Sequence, residues 1–454
     1  MQRALAIKIL VIFVLALTML IPLEMIRGKV YERERYQTAA TQSVASSWTD
    51  AQTLMTPILV IPYSYQEEQS ENNGTGWIRT DVLRKEHKFI LPKNVSVSGA
   101  ISTQTLMRGI YEVPVYESDL SFTGEFSAQS LQSAIEEIRE RVEPDAEIIP
   151  FLALHISDSR GVQSISNLQW ADKTISFIPG TKIPLLREGI HAPLSAIKLN
   201  DIINNDIAFD LSFSLKGMER LSIIPVGDQV DVDIQSGWPH PEFIGAFLPT
   251  ARDINNEGFV SKWLVTQFAS NIHDKLQRCE KSDCGPLLGL SLGVNLIDPV
   301  DVYLKSERSI KYGILYIGLT FISFFLFENL RKVRIHPIQY GLVGLSIATF
   351  YLLLGSLSEH ISFALSYALA TIACVSIIFA YLKFVLDGLK NAAWFACALT
   401  LLYALLYVII QAEDFALLMG AVLVFAMLAT IMIITRKINW YEVGDQISKN
   451  PDIA

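Results

Sequence analysis

The sequence predicts a multi-pass α-helical membrane protein that carries one large β-rich domain, α+β and sandwich-like. Three observations predict it. Apolar residues make up 51% of the 454-residue chain, and they concentrate at residues 9–26 and after residue 312. The segment between has the composition of a soluble domain, and its apolar and polar residues alternate with period two, the mark of strands with one wet face. The short loops between the apolar runs also sort by charge, basic on one side and free of Lys and Arg on the other.

The chain opens with Arg3 and Lys8 ahead of the first apolar run. Residues 1–8 read as a cytoplasmic N-terminus and residues 9–26 as a transmembrane signal anchor. Ile21, Pro22, Leu23 and Glu24 stand where a small-x-small cleavage site would follow a secretory signal. Arg27, Lys29, Arg33 and Arg35 come next, interleaved with Glu24, Glu32 and Glu34. Long domains translocate largely regardless of such charges. Residues 28–48 are polar with few breakers and predict a helical stalk.

After Pro57 the pattern turns to strands. Residues 57–63 form a short β-branched run. Leu120, Phe122 and Phe126 alternate with polar neighbours, and Ile207, Phe209, Leu211, Phe213 and Leu215 do so without a fault. Val230, Val232 and Ile234 repeat the pattern, as do Leu288, Leu290, Leu292, Val294 and Leu296. Two helices interrupt the strands. One spans 131–142, with Leu131, Ile135, Ile138 and Val142 on one face. The other spans 260–276, where Val260, Leu264, Phe268, Ile272 and Leu276 recur every fourth residue beside Trp263. Both predict packing on a sheet. Asn73-Gly74-Thr75 and Asn94-Val95-Ser96 match a glycosylation pattern, which is common by chance and carries no weight here.

From 312 to 435, five further apolar runs predict a C-terminal bundle. The first two form a hairpin over 312–357, with Arg331, Lys332 and Arg334 in its loop. The others lie at 361–382, 392–410 and 415–434, giving six spans with the anchor, each near the length a bilayer requires. With the N-terminus inside, the loops at 331–336 and 383–390 and the tail at 436–454 fall inside; both loops, and Arg436-Lys437 at the head of the tail, are basic. The loops at 358–360 and 411–414 fall outside and hold no Lys or Arg. This pattern places residues 27–311 outside, which in a bacterium would be the periplasm.

Several functions are disfavoured by what the residues lack. The net charge is −9, and residues 27–311 carry about −10 of it, so nucleic acid is not an expected partner. The seven histidines show no HExxH or paired spacing, so no metal and no cofactor are expected. Gly289-Leu290-Ser291-Leu292-Gly293 has the letters of a nucleophile elbow. The alternation through it reads as one strand, so no catalytic serine is expected there.

Cys374 and Cys397 read as packing residues. Cys279 and Cys284, outside the membrane, are expected to form a disulfide. Glu328 reads as an interfacial residue pairing with Arg331 or Lys332. Glu359 and His360 form either a proton-sensing pair or a cap for the following span. No span carries a charge near its centre, which argues against an ion-coupled transporter. Trp238-Pro239-His240-Pro241 predicts a rigid loop between a strand and a helix, as a structural corner or as a contact surface.

Several stretches then carry a family resemblance. They are GWPHPEFIGAFLPTARDINNEGF at 237–259, RSIKYGILYIGLTFISFFLFE at 308–328, HPIQYGLVGLS at 336–346, FYLLLGSLSEHISF at 350–363 and TRKINWY at 435–441. TPILVIPY at 56–63 and IPLEMIRGKVYERERY at 21–36 fit as well. The chain resembles the CreD family of inner-membrane proteins, linked to Gram-negative envelope integrity. That resemblance implies one N-terminal span, a large periplasmic domain and a C-terminal helical bundle. It also implies a role in envelope maintenance, tolerance to colicin-type toxins and responses to cell-wall stress under a two-component regulator. It implies no catalytic residues. Trp238, Pro239, His240, Pro241, Glu328, His336, Pro337, Glu359 and His360 are then family-motif positions without assigned chemistry, and nothing is implied for Cys279 and Cys284.

The expectation is a non-enzymatic inner-membrane protein whose periplasmic domain contacts an envelope protein or cell-wall component. The lipid bilayer is its other partner, and self-association stays open. The alternatives are a transporter or flippase for an amphipathic envelope molecule and a periplasmic cell-wall or lipid enzyme.

Overall fold

The computed structural model describes residues 2–72, 77–142, 147–198, 204–280, 283–296, 302–331, 335–385, 388–411 and 416–436. Asn73-Gly74-Thr75, Lys332, Arg334, Asp387, Glu413, Asp414 and the tail from Lys437 lie outside them, as does the Arg331 side chain. Contacts divide the chain into a helical unit, Met1–Thr38 with Val300–Ala454, and a sheet-rich unit, Ala39–Pro299.

Strand Ile207–Met218 explains the larger sheet. Its alternation buries Phe209, Leu211, Phe213 and Leu215 and leaves Asp210 and Ser212 exposed. It pairs antiparallel along its whole length with Tyr111–Phe126, which pairs with Asn94–Arg108. Gln229–Ser236 then adds parallel to Asn94–Arg108, and Gly258–Thr266 and the edge strand Ala251–Asn255 follow antiparallel. Among the described residues this makes a nine-stranded sheet beside sheets of five, four and two strands. Its buried face carries Val97, Leu120, Phe122, Phe213, Val232 and Trp263. Helix Ala128–Arg139 adds Leu131, Ala134, Ile135 and Ile138 to the same core. Each such side chain contributes about 1.5–3 kcal/mol on leaving water. A second core gathers Met55, Ile58, Phe89, Ile272, Leu276, Cys279, Cys284 and Leu287.

Three expectations are corrected here. Residues 260–276 are not one helix. Gly258–Thr266 is a strand, followed by short helices Gln267–Ser270 and Ile272–Glu280. Positions four apart share a face in a strand as well as in a helix. The residues that face the core are Phe259, Ser261, Trp263 and Val265, while Val260 and Leu264 are exposed. Residues 288–296 are not one strand either. Helix Gly285–Leu288 precedes strand Leu292–Leu296, so Ser291 lies between helix and strand in the order opposite to a nucleophile elbow. The Trp238–Pro241 segment joins two strands, Gln229–Ser236 and Pro241–Gly245, rather than a strand and a helix.

The long ribbon Ile58–Asn72 with Trp77–Ile90 is clasped by Glu86, which accepts Tyr63 Oη at 2.6 Å and Tyr65 Oη at 2.9 Å. The Tyr63 hydroxyl above all, helped less by Tyr65 and the Arg141 guanidinium, holds the Glu86 carboxyl below its ordinary range against the upward push of burial. A carboxyl depressed in the folded state adds stability that is full above its unfolded pKa and is lost as pH falls through the folded value.

The helical unit begins with helices Gln2–Thr18 and Leu20–Ser47. Hydrogen bonds run across Met19, from Met19 N to Leu15 O and from Leu23 N to Met19 O. Val302–Lys311 and Gly313–Arg331 follow, with a 41° bend between them, then Pro337–Ser358, Phe363–Val385, Leu389–Gln411 and Ala416–Thr435. Six spans are predicted from sequence. Among the described residues four helical stretches are long and apolar enough to cross a membrane, five if the bent pair counts as one, and Leu418–Ile433 is a shorter apolar helix.

Trp263→Ala is expected to cost about 3–5 kcal/mol and Leu264→Ala about 0.5 kcal/mol or less, read from unfolding of the purified full chain in detergent. Equal costs at both positions would restore the helix. The combined Tyr63→Phe and Tyr65→Phe variant is expected to be less stable than wild type at neutral pH, with the gap closing as pH falls below the carboxylate range. A gap that stays constant with pH contradicts the Glu86 clasp.

Candidate functional site

Two places gather polar groups. In the helical unit, the end of the apolar helix Gly313–Arg331 carries Glu328, which is 8% exposed. Its Oε1 pairs with Lys8 Nζ and accepts the Ile335 amide at 3.2 Å, while Oε2 accepts Tyr340 Oη at 2.9 Å. Lys8 also donates to Ile335 O at 3.3 Å. Phe321 and Phe324 set their rings against Tyr340 at 5.7 and 5.5 Å. The expected partners of Glu328 on its own helix, the Arg331 side chain and Lys332, lie outside the described residues; the carboxylate is buried, and its described partners come from other segments. One turn of helix offers a surface pair little energy, whereas a desolvated carboxylate needs several donors.

Helix Pro337–Ser358 starts beside this junction. His336 is its N-cap, with Nδ1 accepting the Ile338 amide at 3.3 Å and its own amide donating to Gln339 Oε1 at 2.9 Å. Pro337 follows at the first helical position, where a missing N–H costs nothing. At the other end of that helix Glu359 pairs with Arg33 Nε at 3.2 Å, and His360 is exposed.

In the sheet-rich unit, the open face of the nine-stranded sheet is built from small polar side chains. Ser212, Ser121, Ser98, Asp233 and Lys262 stand in register across five strands. Strand Val162–Ile165 lies alongside, and the face forms a trough of about 700 Å³ lined by Ser98, Asp119, Ser121, Ser212, Asp233 and Gln235 among others. Asp233 pairs with Lys262 at 2.9 Å, and Asp119 accepts Ser214 Oγ at 2.5 Å. A neighbouring hollow of about 370 Å³ shares Ala100 and Gln235 and is bounded by Gly237, Asp253 and Glu257. Gly258 closes that end at φ +138°, where an added Cβ would lie 2.0 Å from Ser236 O.

Trp238 is half-buried against the main core, with its amide donating to Ser236 Oγ at 3.2 Å, and His240 is exposed. Pro239 lies between them, and Pro241 opens the next strand. Cys279 and Cys284 are joined within the second core, their Cα atoms 4.1 Å apart. Among the described residues no three His, Cys, Asp or Glu side chains gather in a metal-binding arrangement.

Sequence reasoning missed Lys8 and Tyr340 as partners of Glu328, and Arg33 as the partner of Glu359. One signal was available for the first pair: a lone Lys opens one apolar run and a lone Glu closes another, and the charge alternation of the loops puts those two ends on the same side.

Apolar helices able to span a bilayer, with a large sheet-rich domain inserted between them, define a multi-pass membrane protein with one sizeable soluble domain. The family described as Inner membrane protein CreD matches residues 4–441, and the chain belongs to it. Inner membrane protein CreD of Escherichia coli (strain K12) is 31% identical over 442 residues, covering 96% of this chain and 93% of the relative. The multi-pass inner-membrane character follows. Crystal structures of an M1 zinc metallopeptidase from Deinococcus radiodurans, with and without a bound substrate, align at TM-score 0.21 and 10% identity. They cover 45% of this chain and 42% of theirs, a likeness that carries nothing to fold or chemistry.

Removing one member of a buried ion pair strands the other charge. Glu328→Gln and Lys8→Met are each expected to destabilise the full chain by about 3 kcal/mol. The double variant should recover most of that loss in a double-mutant cycle of unfolding midpoints in detergent. Additive losses would mean that the two groups are not coupled.

Proposed function

We propose that the protein maintains the integrity of the cell envelope without catalysing a reaction, by holding an envelope protein or cell-wall component on its sheet-rich domain. In this reading both termini are cytoplasmic and residues 27–311 are periplasmic. The observation that carries it is the serine-lined trough. An open sheet face with small hydroxyl, amide and carboxylate groups in register offers a partner a long row of hydrogen-bonding positions. The joined Cys279 and Cys284 support an oxidising compartment for this domain, and the basic inner loops support the orientation. Membership of the CreD family supports an inner-membrane, envelope-related setting.

A second reading, a transporter or flippase for an amphipathic envelope molecule, draws support from one feature of the helical unit: buried hydroxyls there, Tyr351 among them, have no hydrogen-bond partner.

The test is a deletion strain challenged with detergent and a β-lactam while a periplasmic reporter enzyme is assayed in the medium. The full chain should restore retention, and the sheet-rich domain on an unrelated anchor should do so too. Ser121→Trp, which fills the trough, should not. Rescue only by chains with the intact helical unit favours transport. A deletion strain that leaks no more than its parent ends the envelope reading.

Orientation is read separately, with Ser96→Cys in a chain whose Cys374 and Cys397 are replaced by Ala. The new thiol should react with a membrane-impermeant maleimide in intact spheroplasts; reaction only after lysis would reverse the topology.

A further inference from the structure

Buried hydroxyls in the helical unit divide into those bonded back to their own helix and those without a partner, among them Thr371 on helix Phe363–Val385 and a set beside one helix break. Thr320, Ser323 and Ser366 each return the hydroxyl to a carbonyl one turn back, at 2.8–3.1 Å. Ser306 and Ser309 do not. They are 3% and 0% exposed, and neither Oγ has a hydrogen-bond partner. Tyr351 Oη is buried without a partner as well.

These groups belong to neighbouring parts of one cluster. Helix Val302–Lys311 packs on helices Gly313–Arg331, Pro337–Ser358 and Leu389–Gln411. The bend between the first two falls at Tyr312. A Cβ at Gly313, the residue after the bend, would lie 3.3 Å from Tyr351 Cε2, so the Tyr351 ring sits over the break. Ile310, Tyr316, Tyr351 and Tyr403 share one buried cluster. Tyr403 donates to Cys374 Sγ at 3.2 Å, and Tyr367 donates to Tyr403 O at 2.8 Å.

A buried hydroxyl without a partner costs free energy, and native proteins rarely leave one so. Several at one helix break indicate a guest that supplies the missing bonds. Interrupted helices at membrane depth are tolerated where they line a polar interior. The unpartnered groups there suit a neutral hydroxyl-bearing guest. The buried groups there are hydroxyls, a thiol and aromatic rings. The nearby Glu307 is already engaged by Tyr31 at 2.7 Å, Lys311 at 3.2 Å and Arg27 at 3.5 Å.

We infer that the helical unit holds an internal site at the break between Val302–Lys311 and Gly313–Arg331, where Ser306, Ser309 and Tyr351 bind a neutral hydroxyl group. Water and the glycerol headgroup of a neutral lipid share that chemistry. The site does not depend on the envelope reading, since it lies wholly within the helical unit.

The experiment uses the purified full chain in lipid-free detergent and in nanodiscs with and without dioleoylglycerol. Unfolding midpoints are measured for wild type, Tyr351→Phe and Ser306→Ala. Each preparation is also exposed to X-ray radiolysis, in which a bound water oxidises the side chain beside it. If the guest is water, Tyr351 is labelled despite its burial, and Tyr351→Phe lowers the midpoint by about 2–4 °C in every preparation. If it is a glycerol headgroup, dioleoylglycerol raises the wild-type midpoint and suppresses Tyr351 labelling, and it does not raise the midpoint of Tyr351→Phe. If Tyr351 stays unlabelled in all preparations and Tyr351→Phe and Ser306→Ala raise the midpoint or leave it unchanged, the hydroxyls are dry and the site does not exist. Tyr351→Phe removes one oxygen and no packing, so a failure to fold is not expected to obscure the result.

Discussion

The carboxylate of Glu328 is the point on which the helical unit closes. Among the described residues it is the one buried carboxylate in the protein, and water no longer solvates it. Its replacement shell comes from three places in the chain: Lys8 from the first helix, the Ile335 backbone, and Tyr340 from the helix that follows. Lys8 and Glu328 are 320 residues apart. The pair therefore decides which apolar helix of the N-terminal part lies against which of the C-terminal part. Apolar contacts in lipid have no such selectivity, because lipid tails compete equally for an apolar surface.

In the sheet-rich unit the corresponding constraint is register. Phe122 and Phe213 stack at 5.5 Å from paired strands, and a slip by one residue would turn both rings to the wet face. The same register brings the serines of three strands and Asp233 of a fourth into one row. The core's demand for large apolar groups on one face and the trough's small polar groups on the other are thus two readings of one alternation. That is why the open face could be shaped without disturbing the packed one.

How much of this was legible in the sequence varied with the kind of contact that decides it. Ile207–Met218 was legible because only a strand explains a period of two held through ten residues. Helix Ala128–Arg139 was legible because its spacing fits no strand. Gly258–Thr266 was misread because Val260 and Leu264 satisfy both periods, and nothing local shows that Ser261, a polar residue, faces inward and donates to Ile234 O at 3.1 Å. Glu328 could be picked out by its position, but its environment could not. Burial is set by residues brought together in the fold, and local sequence contains no trace of them. The trough was invisible for a related reason: single serines on separate strands become a row only once five strands are aligned.

The parallel pairing of Gln229–Ser236 with Asn94–Arg108, and of Gln52–Met55 with Arg220–Ile224, has a consequence for how the chain is made. Each pair spans well over a hundred residues of sequence, and loop closure over such lengths delays the contact. During synthesis the hairpin of Asn94–Arg108 and Tyr111–Phe126 emerges long before the strand that covers its flank. It must wait with an open edge, a template for pairing with other chains. The helical unit is held back further, since Lys8 is made before the sheet-rich unit and Glu328 emerges only after all of it. Folding is therefore end-loaded in both units, and the biogenesis of this protein is tied to the completion of its chain rather than to the appearance of its parts.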